Sequence, residues 1–332
     1  MMSSFQFSAP ILRIVYYNSF YCLVDFQSRF LGSVKVLALL LVLVVIAGCE
    51  ERNESATKGS IAINVDESIA PAISMVVDEF TSLYTDAQIS KETVSTREAI
   101  ANLINEEVSL ILIARELTPE ERESFDRFDL KIYSYNIAMD GIVLLVNPKN
   151  SIRQIDMLDV QKIMSGEITN WKDVKTSMTS GKIQMFSKDR NSADYTYMTK
   201  NLLYDINANI NTYPCSTSTD VIAQVAKYPN AFGWIGLGWK PDSKNLDVRI
   251  LEVAAYDSTA IVQNYYEPHQ AHIHRRYYPL ARNLYVYSRD MGNSNVTAGL
   301  VTFFTHEGQR IILNKGLVPS VYPVRLIQYG TQ

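Results

Sequence analysis

From residue 61 onward the chain alternates short, continuous apolar runs with longer stretches in which apolar residues return every three or four positions. A strand is predicted over 61–65. A helix follows over 69–84, with Ile73, Val76, Val77 and Phe80 on one face. Strand 89–93, helix 96–107 and strand 110–114 continue the alternation, and the last is apolar throughout, as a strand buried on both faces should be. Thr118-Pro119-Glu120-Glu121 has the form of a capping box with proline at the first helical position. Strands are then expected over 130–135 and 137–146. Beyond them the pattern predicts a helix over 157–164, a turn over 166–171 and a strand over 183–186. Helices over 194–203 and 219–228, a strand over 231–237 and a strand over 248–253 come next. A long polar loop, a strand over 283–287 and a helix over 296–314 complete the chain, with Gly316 as helix C-cap. Such regular alternation is the mark of an α/β fold with ligands at the carboxyl ends of strands.

The N-terminal segment follows different rules. The apolar run 36–47 is well short of the ~18–20 residues a membrane-spanning helix requires, and Lys35 flanks it. It ends in Ile46-Ala47-Gly48-Cys49, which resembles a bacterial lipobox. Residues 1–48 are therefore expected to be a signal region, Val34 to be the true translation start, and Cys49 to be the lipidated N-terminus. Residues 49–60 are expected to be a polar tether. Since one acyl chain gives only marginal membrane binding, a stable anchor requires more than one. The expected location is the cell envelope, facing the periplasm or the cell exterior.

The chain carries 31 Lys and Arg against 35 Asp and Glu, a formal charge of −4, which excludes the broad basic footprint of a nucleic-acid binder. An anion bound by such a chain must be held by local donors. Of three cysteines, Cys22 lies in the signal region and Cys49 takes the lipid, so Cys215 has no disulfide partner. Glu267, His269, His272 and His274 hold three of the four histidines, at a spacing compatible with a metal. Their setting in a polar loop without cysteine argues for no metal. No Ser-His-Asp order, nucleophile elbow or P-loop is present, so neither catalysis nor a cofactor is expected.

Three ordered segments resemble the substrate-binding proteins of phosphate ABC transporters, within the periplasmic binding protein type II superfamily. Residues 142–174 end in a Gly-Glu-Ile-Thr-Asn-Trp turn like the one after that family's hinge. Residues 216–237 resemble its helix followed by a Gly-x-Ile-Gly strand. Residues 278–319 are similar to its closing segment. The resemblance implies an α/β, two-lobed fold with a hinge and an interlobe ligand cleft. Lobe one would comprise 58–138 plus 247–332, and lobe two 139–246.

By the same resemblance the chain is a monomeric solute-binding lipoprotein. It would capture inorganic phosphate or a related oxyanion for an ABC permease. The alternative is a same-fold binding or sensor module for another ligand. The positions matching the family's ligand motifs are Ser68, Thr96, Arg115, Lys188, Asn191, Ser192 and Asp194, with Arg190 as an auxiliary. Physically these are hydroxyls at helix starts and cations, the donors a desolvated oxyanion needs. The chain departs from the family at Arg97, Ala99 and Ala193, where glycines are expected. Asp66 and Glu67 precede Ser68 where relatives are uncharged. Asp194 replaces a threonine; its carboxylate is expected to turn away and cap the following helix, the alternatives being that it accepts the proton of a protonated phosphate or that the ligand is not an anion.

Overall fold

The computed structural model describes residues 54–241, 247–256, 263–290 and 295–321. The expected signal region, Cys49 and Val34 lie outside the described residues. Among those described, no helix is long and apolar enough to cross a membrane.

The first half follows the predicted alternation closely. Strands β1 (Gly59–Asp66), β2 (Ala87–Val94) and β3 (Leu110–Ile113) are parallel neighbours, joined by helices α1 (Ala70–Leu83) and α2 (Thr96–Ile104). Strand β3 is continuous in apolar character because its two faces serve two cores. Leu110 and Leu112 point into the main core with Ile73, Val76 and Phe80 of α1, while Ile111 and Ile113 pack with Ile100, Leu103 and Phe125. Each such side chain, fully buried, contributes roughly 1.5–3 kcal/mol. The capping box of α3 (Pro119–Arg127) forms as read, with Thr118 Oγ1 accepting from the Glu121 N–H and Glu121 accepting from the Thr118 N–H.

The two strands predicted over 130–146 are a single long strand, β4 (Tyr133–Val146), and this is the pivot of the architecture. Residues 133–141 pair antiparallel with β11 (Ala281–Ser288), whereas residues 142–146 pair with β8 (Ala231–Gly236). One curled sheet results, in the order β2-β1-β3-β11-β4-β8-β6-β7, with β6 (Gln184–Lys188) and β7 (Tyr213–Cys215) at the far end. Helices α4 (Met157–Ser165), α5 (Ala193–Leu202) and α6 (Ser218–Lys227) cover that end. The two lobes are thus two stretches of one sheet, joined through a strand that belongs to both.

The chain departs from expectation in four further places, three of them in its later part. The strand predicted over 248–253 divides into β9 (Arg249–Ile250), paired with Leu145 and Val146, and β10 (Glu252–Ala254), paired with β5 (Gln154–Asp156). Residues 249–254 therefore pair with the end of β4 and with β5. Within the expected polar loop, a short helix α7 (Gln270–His274) forms, and Tyr266 stacks on Tyr277 with ring centroids 5.2 Å apart. The long helix predicted over 296–314 breaks at His306 (φ −127°, ψ −94°) into α8 (Val296–Thr305) and α9 (Gly308–Asn314), and β12 (Val318–Pro319) then pairs with β4. Finally, the described part of the expected tether is folded. Ser55 and Lys58 close a turn by mutual backbone hydrogen bonds, and that turn lies against α8.

Gly299 is where α8 receives this turn, since a Cβ there would fall on the Ala56 carbonyl. Gly299→Ala is accordingly expected to lower stability by about 1–3 kcal/mol, the range for overpacking a closed contact. Thr302→Ala, on the exposed side of the same helix, should change stability by no more than about 0.5 kcal/mol. Urea denaturation of the two variants checks this, and equal midpoints would contradict the packed turn.

Candidate functional site

Where the two lobes meet, four carboxylates share two cations: Asp66, Glu67, Asp140 and Asp194 against Lys188 and Arg282, all buried. Charges withdrawn from water persist only when paired and hydrogen-bonded, and the pairing here is extensive. Asp66, the last residue of β1, accepts from the Ser68 N–H at 3.0 Å and the Ser68 hydroxyl at 2.9 Å through Oδ1. Its Oδ2 accepts from the Thr96 hydroxyl at 2.5 Å. The next residue, Glu67, opens a 3-10 turn (Glu67–Ile69) and reaches into the other lobe. Its carboxylate pairs with the Lys188 ammonium and accepts from the Ser218 N–H at 2.8 Å and the Ser218 hydroxyl at 3.0 Å. The Trp239 indole N–H holds the Glu67 carbonyl at 2.7 Å.

Beneath this pair lies a second cluster. Arg282 on β11 stands opposite Asp140 on β4 in the strand register. Its Nη2 and Nε donate to Asp140 Oδ2 at 2.7 and 3.1 Å, and its Nη1 donates to Asp194 Oδ1 at 2.6 Å. Asp140 Oδ1 also accepts from the Leu237 N–H at 3.1 Å. Asp194 Oδ2 is buried and has no hydrogen-bond partner among the described residues. Gly236 completes the floor, because a Cβ there would strike the Ser68 carbonyl and crowd Arg282.

Ionisation in the cluster follows from burial against charge. Burial pushes the Asp140 carboxyl above the usual carboxylate range, against the pull of Arg282. For Lys188 burial works toward deprotonation, but Asp66, Asp194 and Glu67 outweigh it and hold the ammonium above its ordinary value. Arg282 is raised in the same way, with Asp194 and Asp140 overcoming the effect of burial. Tyr197, whose hydroxyl donates to the Ala281 carbonyl at 2.9 Å, is pushed up to about 12, chiefly by burial.

The structure brings together Ser68, Thr96, Lys188 and Asp194 from the expected set, and leaves the others apart. Arg115 forms a two-pronged pair with Glu121, both distances 2.7 Å, so the residue that completes the α3 capping box also holds this guanidinium. It lines an interlobe cavity of about 750 Å³ together with Thr118, Thr196, Tyr197, Lys200 and Arg282. Ser192 is the N-cap of α5, accepting from the Tyr195 N–H at 3.2 Å and donating to the Asp189 carbonyl at 2.8 Å. That settles the cap: Ser192 provides it, and Asp194, expected to cap, pairs with Arg282 instead. The Asn191 side chain turns to Asp189, while its carbonyl accepts from the Arg97 N–H at 3.1 Å, joining α2 to the second lobe. Arg190 is exposed and bonds to Asn209 at 3.2 Å.

In the histidine segment, His269 caps α7 through Nδ1, and His272 lies edge-on to Tyr266 with Nδ1 3.0 Å from the Glu267 carbonyl. Among the described residues no three His, Cys, Asp or Glu side chains gather as a metal set. Asp140, Ser218, Trp239 and Arg282 escape the sequence reading. Two of them left a signal, since Asp140 and Arg282 are each the single charged residue of a strand.

Arg282 neutralises two buried carboxylates at once, so Arg282→Met is expected to destabilise the fold by about 3–5 kcal/mol. The deficit should narrow as pH falls. A carboxyl raised by burial takes up its proton in the folded state before the unfolded chain does, so acidification favours the variant fold. Chemical denaturation of both proteins at neutral and mildly acidic pH measures this. A deficit that grows on acidification would contradict it.

Comparison with known proteins agrees with this architecture. Residues 50–307 match the family model described as the PBP superfamily domain. The phosphate-binding protein PstS of Staphylococcus epidermidis is 23% identical over 268 residues, covering 79% of either chain. That of Staphylococcus aureus is 23% identical over 297 residues, covering 88% of either chain. Among solved structures, a putative phosphate ABC transporter substrate-binding protein with bound phosphate, from Clostridium perfringens, superposes with a TM-score of 0.65 at 18% identity. The match covers 79% of this chain and 99% of that one. An ABC-type phosphate transport receptor from Vibrio cholerae gives 0.60 at 17% identity, covering 79% and 100%. With a curled α/β sheet, two lobes meeting at a polar cleft and a family match across most of its length, this chain belongs to the PBP superfamily domain family.

Proposed function

We propose that the chain is a solute-binding lipoprotein that captures phosphate or a related oxyanion in the interlobe cleft, without catalysis, and delivers it to an ABC permease. The observation that carries this reading is the donor set. The hydroxyls of Ser68, Thr96 and Ser218, the N–H groups of Ser68 and Ser218 and the Lys188 ammonium all point at carboxylate oxygens within one cleft. A set of donors that converges on anionic oxygen is the chemistry a phosphate requires. The names of the staphylococcal relatives and the phosphate bound in the clostridial structure support the same ligand. A change of lobe along β4 is supported by its change of partner between Gly141 and Ile142, close to the division at 139 read from the sequence.

A second reading, a same-fold module for a different ligand, draws on one observation. The donors already hold Asp66 and Glu67, and the adjoining cavity of about 750 Å³ is far larger than an inorganic anion. Calorimetric titration of residues 50–332 with phosphate, sulfate and molybdate separates the two. Saturable heat with phosphate is the expected result, and binding of none of the three removes the first reading.

Lys188→Ala should weaken phosphate binding by about 1.5–3 kcal/mol, the scale of a charge-assisted hydrogen bond. Lys162→Ala, whose ammonium pairs with Glu167 outside the cleft, should leave affinity unchanged. Equal affinities for the two variants would place Lys188 outside the ligand site.

Envelope anchoring rests on Cys49. Cys49→Ser should abolish incorporation of a fatty-acid probe and release the protein from the membrane fraction. Equal labelling of wild type and variant would contradict lipidation.

A further inference from the structure

Glu67 and Asp66 occupy the cleft in different ways. Asp66 is satisfied within its own lobe, by Ser68 two residues on and by Thr96 of the neighbouring helix. Glu67 belongs to the first lobe, yet among the described residues every donor to its carboxylate comes from the second: Lys188 Nζ, the Ser218 N–H and the Ser218 hydroxyl, 121 and 151 residues away in sequence. The Ser218 amide is the first N–H of the ten-residue helix α6, whose cap is supplied separately by Thr217 and Asp220. Glu67 therefore is not the cap of α6. It fills the unpaired first-turn donor that a bound anion fills in other proteins.

We infer that the Glu67 carboxylate is the resident anion of the cleft, which holds the lobes together when no solute is bound and which an incoming oxyanion must displace from Lys188 and Ser218. Three features support it. The Glu67 carbonyl is held separately by the Trp239 indole, a main-chain contact that does not depend on the carboxylate, so the side chain can exchange its partners without releasing that bond. Four carboxylates already face two cations, so a further anion cannot share Lys188 with Glu67 without strong repulsion. A tethered competitor acts at a high effective concentration, which lowers the apparent affinity for free solute without altering the donors themselves. The identity of the displacing solute rests on the phosphate reading above; the clamp does not.

The test uses the purified chain with inorganic phosphate as the probe. Glu67→Gln removes the resident charge at nearly constant size, and Glu67→Ala removes the side chain should the amide rebuild the contact. Glu79→Gln, exposed on α1, changes net charge equally. Phosphate affinity by calorimetry and solute-free radius of gyration by small-angle scattering are the two readouts. The Glu67 variants are expected to bind phosphate at least tenfold more tightly than wild type, to be more open without solute and to contract on binding. Wild type and Glu79→Gln should be closed throughout. If the Glu67 variants bind phosphate no more tightly than wild type while wild type binds it, displacement is overturned. A solute-free shape unchanged in both Glu67 variants overturns the clamp. If no protein binds phosphate but the Glu67 variants open, the clamp stands and the phosphate reading fails.

Discussion

The interlobe charge cluster is the constraint on which the rest of the structure depends, and Arg282 is its centre. A guanidinium withdrawn from water is tolerable only where carboxylates meet its fork, and Asp140 and Asp194 do so from a strand and a helix. This one side chain therefore fixes β11 against β4 and α5 against both. The strand register that places Arg282 opposite Asp140 is followed two residues later, at Ile142, by the change of partner from β11 to β8. A slip of one residue between β11 and β4 would leave Arg282 and Asp140 on opposite faces of the sheet.

The upper layer of the cluster gives the fold its distinctive chemistry. Here the acceptors are built into the chain, one residue apart at the end of β1. Ser68 and Thr96 are satisfied by Asp66, Lys188 and Ser218 by Glu67, and even the Arg97 amide at the start of α2 is taken, by the Asn191 carbonyl. The lobes meet with these donors satisfied and the 3-10 turn pinned by Trp239.

Much of the fold was legible because local pattern and tertiary demand agree in it. The apolar run of β3, the periodic face of α1 and the Thr118 capping box each carry their own signal. Where the reading failed, a non-local cause intervened. Strand β4 looked like two strands because the break in its pattern at Asn136 falls where its register against β11 shifts past Ile137, not at an end of the strand. The helix expected over 296–314 is divided at His306 by backbone angles that no helix-breaking proline or glycine announces at that position. The site was read in part for the same reason. Ser68, Thr96 and Lys188 sit at recognisable helix starts and strand ends, and Asp66 and Glu67 stood out as charges. Ser218 and Trp239 gave no warning, since their partner lies 151 and 172 residues away.

The asymmetry between the two internal carboxylates limits how a solute can be held. Asp66 is bound by three donors of its own lobe, two of them within the same turn, so releasing it would dismantle the entry to α1. Glu67 is bound only across the cleft and can leave by side-chain rotation. An oxyanion that takes its place gains Lys188 and Ser218, while Ser68 and Thr96 remain committed to Asp66. Binding would then be carried by the second lobe, and the first lobe would close over the solute with a carboxylate in front rather than a row of free donors. A carboxylate so placed favours an oxyanion that still carries a proton to donate, and disfavours one that is fully ionised. On that proposal the two adjacent acidic residues would divide the work, Glu67 joining the lobes and Asp66, held in its own lobe, selecting the protonation state of the solute.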